Sequence, residues 1–280
     1  MRKTFTRIIS AAIAIATCSS IAGQTFAQEN QPITTSSAVY DQNTRNDLKD
    51  IAPEDIIYDS EMIALVEQRK EELEAFFNSR ASLPSSYTAP ATWQQQQEGN
   101  YCGPATASII LNNLSSITPP TQYQIAGSNF LRTNSGGTPW YEGDNQQANL
   151  TNPRNYNMMW GLNQWQQYQA GRNEWSYVVY PFNETPTNSG YINNIKYTVY
   201  MDYLVAINGK SVGGTNSHID GYPNGRVGHW LVCNGWTSNS RYYIVDPASG
   251  TSGFNNVKPQ YDIPESKLLA FIKAGNGIVC

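Results

Sequence analysis

The 280-residue sequence is poor in charge, in histidine and in cysteine. Lys, Arg, Asp and Glu make up 14% of it, against about a quarter in an ordinary globular chain. Basic and acidic groups number 18 and 22, so the basic excess that marks a nucleic-acid binder is missing. Beyond the extreme N-terminus, no apolar run approaches the roughly 20 residues needed to span a bilayer. Two His and four Cys, with scattered acids, offer none of the usual metal-ligand spacings, and no metal or cofactor is expected. What is present is bulk. The 7 Trp and 18 Tyr supply a sizeable core, and the length fits one large domain or two small ones.

The low charge hides an asymmetry along the chain. Residues 1–27 contain Arg2, Lys3 and Arg7 and no acids. The apolar run Ile8–Ala16 follows, and Thr25-Phe26-Ala27 places small residues where a signal peptidase reads them. This is the pattern of an export signal cleaved after Ala27. A retained anchor fits less well, because Thr17, Ser19, Ser20 and Gln24 interrupt the apolar run. A lipoprotein anchored at Cys18 fits less well too, because Thr17 stands where a smaller residue is usual. Residues 28–90 carry 5 basic and 12 acidic side chains, and residues 91–280 carry 10 of each. Three segments are therefore expected: a signal (1–27), an acidic linker plus helix (28–90) and a neutral domain (91–280). The linker is polar to residue 53. Pro53-Glu54-Asp55 then opens a helical pattern with apolar groups at Ile56, Ile63, Val66, Leu73, Phe76 and Phe77. That helix reads as a spacer packed on the domain edge, or as a pro-segment that covers an active-site cleft.

Within 91–280 the pattern predicts helices at 102–114, 121–132, 158–168 and 264–274. Strands are predicted at 175–180, 196–207, 229–235 and 241–246. Helices first and strands afterwards favour an α+β domain.

Export places the cysteines in an oxidising compartment, and removal of the signal leaves Cys102, Cys233 and Cys280, an odd number. Cys102 sits in Asn-Tyr-Cys-Gly-Pro-Ala at the predicted start of an apolar helix, where free amides and the positive dipole end stabilise a thiolate. A thiolate nucleophile needs an imidazole. His229 opens the strand-like His-Trp-Leu-Val-Cys-Asn-Gly, whereas His218 lies among turn residues. Asp246, in Val-Asp-Pro, falls one hairpin after His229 and could orient it; Asp220, beside His218, is the competing carboxylate. The backbone amide of Cys102 and one amide from Gln94–Gln97 could serve an oxyanion. Cys233 reads as a core residue beside His229 or as a partner of Cys280.

These segments together resemble the C39-like cysteine peptidases: the Gln-rich run before Tyr-Cys-Gly-Pro-Ala (101–105), the Gly-His-Trp-Leu-Val segment that runs on to Gly235 (228–235) and Val-Asp-Pro (245–247). The resemblance spans about residues 91–260 and implies a papain-like cysteine peptidase fold, with N-terminal helices carrying the Cys and an antiparallel sheet carrying His and Asp. It implies Cys102 as nucleophile, His229 as general base and later acid, and Asp246 as its orienting partner. It selects Gln96, six residues before Cys102, as the oxyanion donor, with Gln95 or Gln97 as neighbours. The expected partner is a peptide or protein substrate. Residues 28–90 are a candidate intramolecular inhibitor, and the expected location is a bacterial exterior or cell wall. Leader-peptide processing does not carry over, because the sequence shows neither a membrane bundle nor an ATP-binding loop. The same site could run acyl transfer, and the fold could serve as a silent binding module.

Overall fold

The computed structural model describes residues 59–79, 83–142 and 152–280. The export signal, the polar linker and the Pro53-Glu54-Asp55 opening lie outside the described residues. In chain order the elements are helix α1 (Asp59–Asn78), strand β1 (Tyr87–Thr88), helices α2 (Cys102–Asn112) and α3 (Gln122–Ile125), and a 3-10 turn at Pro153–Asn155. Then come α4 (Asn157–Ala170), β2 (Val179–Tyr180), α5 (Asn188–Tyr200), β3 (Val205–Val212) and β4 (Arg226–Trp236). β5 (Arg241–Val245), β6 (Gln260–Pro264), α6 (Glu265–Ala274) and β7 (Gly277–Val279) complete the chain. The result is a mixed helix and antiparallel-sheet architecture, as the order of patterns predicts. Among the described residues, no helix is long and apolar enough to cross a membrane.

The sheet runs β2–β7–β3–β4–β5–β6, with β1 pairing the end of β4. β4 is buried from His229 to Trp236, because α2 and α5 pack against it while β3 and β5 flank it. A strand covered this fully reads as a nearly continuous apolar run rather than as an alternation. The β3–β4 register places Asn208 opposite Trp230, Gly209 opposite His229 and Lys210 opposite Gly228. A Cβ on Gly209 would lie 2.0 Å from the Phe271 ring of α6. Glycine there lets α6 close onto β3 directly beside His229.

Three sequence expectations change. The helix expected over 121–132 stops at Ile125, where Gly127-Ser128-Asn129 offers turn chemistry in place of helix, and Arg132 adopts a positive φ of 51°. The strand expected over 196–207 begins only at Val205. Its first part belongs to α5, capped by Thr187, whose hydroxyl accepts from Gly190 N–H. Tyr-Thr-Val-Tyr mimics a strand by composition, but Tyr191, Asn194, Ile195, Thr198 and Val199 are buried at helical steps. The strand expected over 175–180 shortens to Val179–Tyr180, and β1, β6 and β7 form where the sequence shows no strand pattern.

The suggested Cys233–Cys280 bridge is absent: Cys102, Cys233 and Cys280 are all free. The register gives the reason. Cys233 lies opposite Val205 on β4, and the β3–β7 pairing carries Cys280 to the other side of that same residue. Two strand spacings separate them, about 9–10 Å, beyond the reach of a disulfide.

Helix α1 docks on α5 and the 3-10 turn, burying Met62 and Val66. Arg69 is 4% exposed. Its guanidinium lies 3.9 Å from the Trp175 ring centre and donates to Ser176 O at 2.8 Å. α1 and α5 border a cavity of about 370 Å3 that shares no residue with the cleft at Cys102. The described part of the acidic segment therefore lies elsewhere than over Cys102. Tyr87 and Thr88 already pair with Trp236 and Gly235, just before the composition changes at residue 90.

Gly209→Ala should lower stability by about 1–3 kcal/mol, the usual cost of overpacking, read by urea unfolding. An unchanged midpoint would show that Phe271 yields freely and that the close approach is not a constraint.

Candidate active site

Cys102 is the first residue of α2, and the whole stretch Gly103–Leu111 behind it is buried. Tyr101 provides no side-chain cap. The N–H groups of Cys102 and Gly103 therefore stay available to an anion, while Pro104 has none to leave unsatisfied. Gly103 is required by its neighbour: a Cβ there would sit 2.2 Å from the Thr138 hydroxyl oxygen. The Thr138 carbonyl in turn accepts from Trp230 Nε1 at 2.9 Å. One residue thus ties the start of α2 to β4, and it brings the half-buried Cys102 sulfur against His229.

His229 lies on β4 and Asp246 immediately follows β5. His229 Nε2 meets Asp246 Oδ1 at 2.9 Å, which leaves the other ring nitrogen, Nδ1, clear of the carboxylate, and the Cys102 thiol interacts with the same ring. Asp246 is fully buried and all its acceptor sites are supplied. Oδ1 also accepts from Ala248 N–H at 2.9 Å, while Oδ2 accepts from the Tyr222 hydroxyl at 2.6 Å and the Tyr261 hydroxyl at 2.8 Å. The Phe254 ring stacks near His229 at 6.2 Å and Tyr222 meets it edge-on at 5.6 Å. The imidazole is held on its faces and edge as well as at its nitrogens.

The electrostatics follow this geometry. Burial pushes the Cys102 thiol up, but the hydrogen bond and charge of His229, with the N–H groups of Trp230 and Gly103, outweigh it and hold the thiol below its ordinary value. Burial pulls His229 down, yet the charge and hydrogen bond of Asp246, followed by Cys102, raise it to about 10. Burial also pushes Asp246 up, and His229, Tyr222 and the Ala248 N–H together hold its carboxyl below the usual range. All three directions favour one state: thiolate, imidazolium, carboxylate.

Gln96 takes a different position from the other three. Its backbone N–H donates to Pro247 O at 2.9 Å, beside Asp246. Its side-chain nitrogen donates to the carbonyls of Glu98 and Gly99 at 3.0 and 3.1 Å, bracing the loop that brings Gly99 and Asn100 to the cleft. Gln96 Oε1 is buried without a partner among the described residues. Gln94 and the backbones of Gln95 and Gln97 are engaged with Ser108 and Gln122. His218 bonds Ser211 at 3.2 Å and Asp220 pairs with Lys267 at 2.9 Å, so neither belongs to this cluster. Tyr222, Tyr261 and Phe254 were not legible in the sequence: Tyr222 stands in a Gly-Tyr-Pro turn and the other two in segments without periodicity.

Cys102 faces a cleft with two lobes. The larger, about 630 Å3, is walled mostly by backbone and small residues, including Gly99, Gly136, Gly137 and Gly228. The smaller, about 230 Å3, adds His229, Trp140, Trp230, Asn208 and Lys210. Trp140 and Trp230 stack with ring centres 5.8 Å apart. Among the described residues, no group of three or more His, Cys, Asp or Glu side chains converges as metal ligands.

Iodoacetamide should label Cys102 first in the native protein, with an ionisation limb below the ordinary thiol value of about 8.5. Burial pushes Cys233 and Cys280 to about 12 and about 11, so they should react only after unfolding, without need of a reductant. Faster native labelling of either would contradict the site. Replacing Tyr222 and Tyr261 together by Phe removes both donors from Asp246 Oδ2. The expected cost is about 2–4 kcal/mol of stability and a Cys102 limb moved to higher pH; an unmoved limb would show that Asp246 does not act through His229.

No curated protein matches the chain. Residues 88–269, well over half of the sequence and a span that holds Cys102, His229 and Asp246, match the Peptidase_C39 like family, and the chain belongs to that peptidase family.

Proposed function

We propose that this protein is an exported cysteine peptidase with a papain-like arrangement of its site. The observation that carries the reading is the Cys102 thiol set against an imidazole whose Nε2 is held at 2.9 Å by a fully buried carboxylate. The Cys102 thiolate attacks the carbonyl carbon of a peptide bond, forming the C–S bond. The N–H of Cys102, at the start of α2, faces the developing oxyanion, the position where such donors act most strongly. Gln96 joins it only if its amide lets go of Glu98 O or Gly99 O. The C–N bond then breaks as His229 gives its proton to the departing amine. Neutral His229 next takes a proton from water, whose oxygen attacks the thioester. The acid leaves, and thiolate and imidazolium are restored. Asp246 stays ionised throughout and stabilises the charged ring.

Two open lobes beside one thioester also admit an amine in place of water, which makes acyl transfer the second reading. Export rests on the basic, apolar and small-residue order of residues 1–27. A bacterial exterior or cell wall is the location that fits.

A substrate-profiling digest with wild type and Cys102→Ala should show cleavage lost in the variant. Asp246→Asn should lower kcat by roughly 10²–10⁴-fold. The kcat/KM profile should rise as Cys102 ionises and fall as His229 loses its proton near pH 10. Cleavage that survives Cys102→Ala would refute the assignment.

A further inference from the structure

The two lobes of the cleft differ in chemistry as well as size. The larger presents backbone and small side chains, whereas the smaller combines an aromatic wall with polar groups on one strand face. The β3–β4 register puts Asn208 opposite Trp230 and Lys210 opposite Gly228, and directly opposed residues share a face. Lys210 is half-buried, and its side-chain ammonium has no hydrogen-bond or ion-pair partner among the described residues. Gly228 opposite it leaves open space, since a Cβ there would meet nothing within 4 Å. Asn208 Oδ1 is occupied by Asn276 Nδ2 at 2.6 Å, which leaves the Asn208 amide hydrogens to the cleft. Among the described residues no Asp or Glu lines either lobe, and the charges that do belong to Lys210 and His229.

Direction along the cleft follows from the chemistry. The imidazolium must stand beside the amine it protonates, so the departing part of the substrate occupies the lobe that His229 lines. At about 230 Å3 that lobe falls below the roughly 300–1,000 Å3 of ligand pockets and suits a single residue. An ammonium and an amide donor above an aromatic wall match a carboxylate carried on a short apolar stem.

We propose that the Lys210 lobe is a leaving-group subsite that selects a carboxylate on the residue following the scissile bond. The carboxylate comes either from an Asp or Glu side chain or from the α-carboxylate of a C-terminal residue. This assignment deepens the peptidase reading and rests on it.

The test has two arms. The first uses paired quenched peptides, cut by wild type, that differ only after the scissile bond: Glu, Gln, and a C-terminal residue with free or amidated carboxylate. Wild type should prefer the charged member of at least one pair by roughly three- to tenfold in kcat/KM, the range of a partly desolvated charge contact. Preference within the first pair identifies the side chain, and within the second the chain end. Lys210→Met should bring the ratio near one, Lys210→Arg should keep it and Lys210→Glu should invert it. The second arm needs no substrate. The ratio of Cys102 alkylation by iodoacetate to that by iodoacetamide should fall in Lys210→Met and fall further in Lys210→Glu. If both reagents label Cys102 with a ratio that Lys210 does not alter, or if wild type shows no preference in either peptide pair, the subsite falls while the peptidase reading stands. If neither reagent labels Cys102, the peptidase reading fails and the subsite falls with it.

Discussion

The arrangement at Cys102 depends on keeping one buried carboxylate ionised. Asp246 has no exposed surface, and an unpaired charge there would cost several kcal/mol. Four donors offset that cost: His229, Ala248 N–H, Tyr222 and Tyr261. Each arrives from a different place in the chain: the centre of the sheet, the turn after β5, the β3–β4 loop and β6. The folded sheet is therefore what holds the negative charge in place. That charge raises His229, and His229 lowers Cys102.

The second constraint is steric. Gly103 touches Thr138, Thr138 holds Trp230, and Trp230 follows His229 on β4. A larger residue at position 103 would push the start of α2 away from the strand and open the distance between sulfur and imidazole. Gly209 does the same on β3, letting Phe271 of α6 press against the strand that pairs with His229. Two glycines thus set how closely the helices approach the sheet at the positions where the candidate site is built. The glycines around the cleft act differently, since Gly99 and Gly228 face open space and keep the lobes accessible.

Much of this was legible before the fold. Cys102 announces itself through a helix start with Gly-Pro behind it, and His229 and Asp246 through their places at the start and end of strand-like runs. The helices around 102–112 and 157–170 show in their apolar spacing, and so does the hairpin that joins β4 to β5. Local chemistry decides all of these. Legibility fails where composition and context disagree. Lys196–Tyr200 carries strand-forming residues inside a helix, because the cap at Thr187 and the buried face of α5 outweigh intrinsic preference. Gln96 sits at the expected position in the chain, yet its amide bonds its own loop, a choice made by nearby carbonyls that no spacing reveals.

Local sequence carries the segmental charge, a scarcity that leaves two imidazoles and four thiols to choose from, and the helix end at which one of those thiols sits. These are properties of neighbours along the chain. The assembled sheet is what lets Tyr222 and Tyr261 complete the shell of Asp246, sets Cys233 and Cys280 on either side of Val205 where they cannot bridge, and makes Lys210 line the lobe that His229 also lines. Each of those depends on strand register and sheet order. Register is set by which residues can be buried together across the whole sheet, a condition that no local stretch of sequence contains.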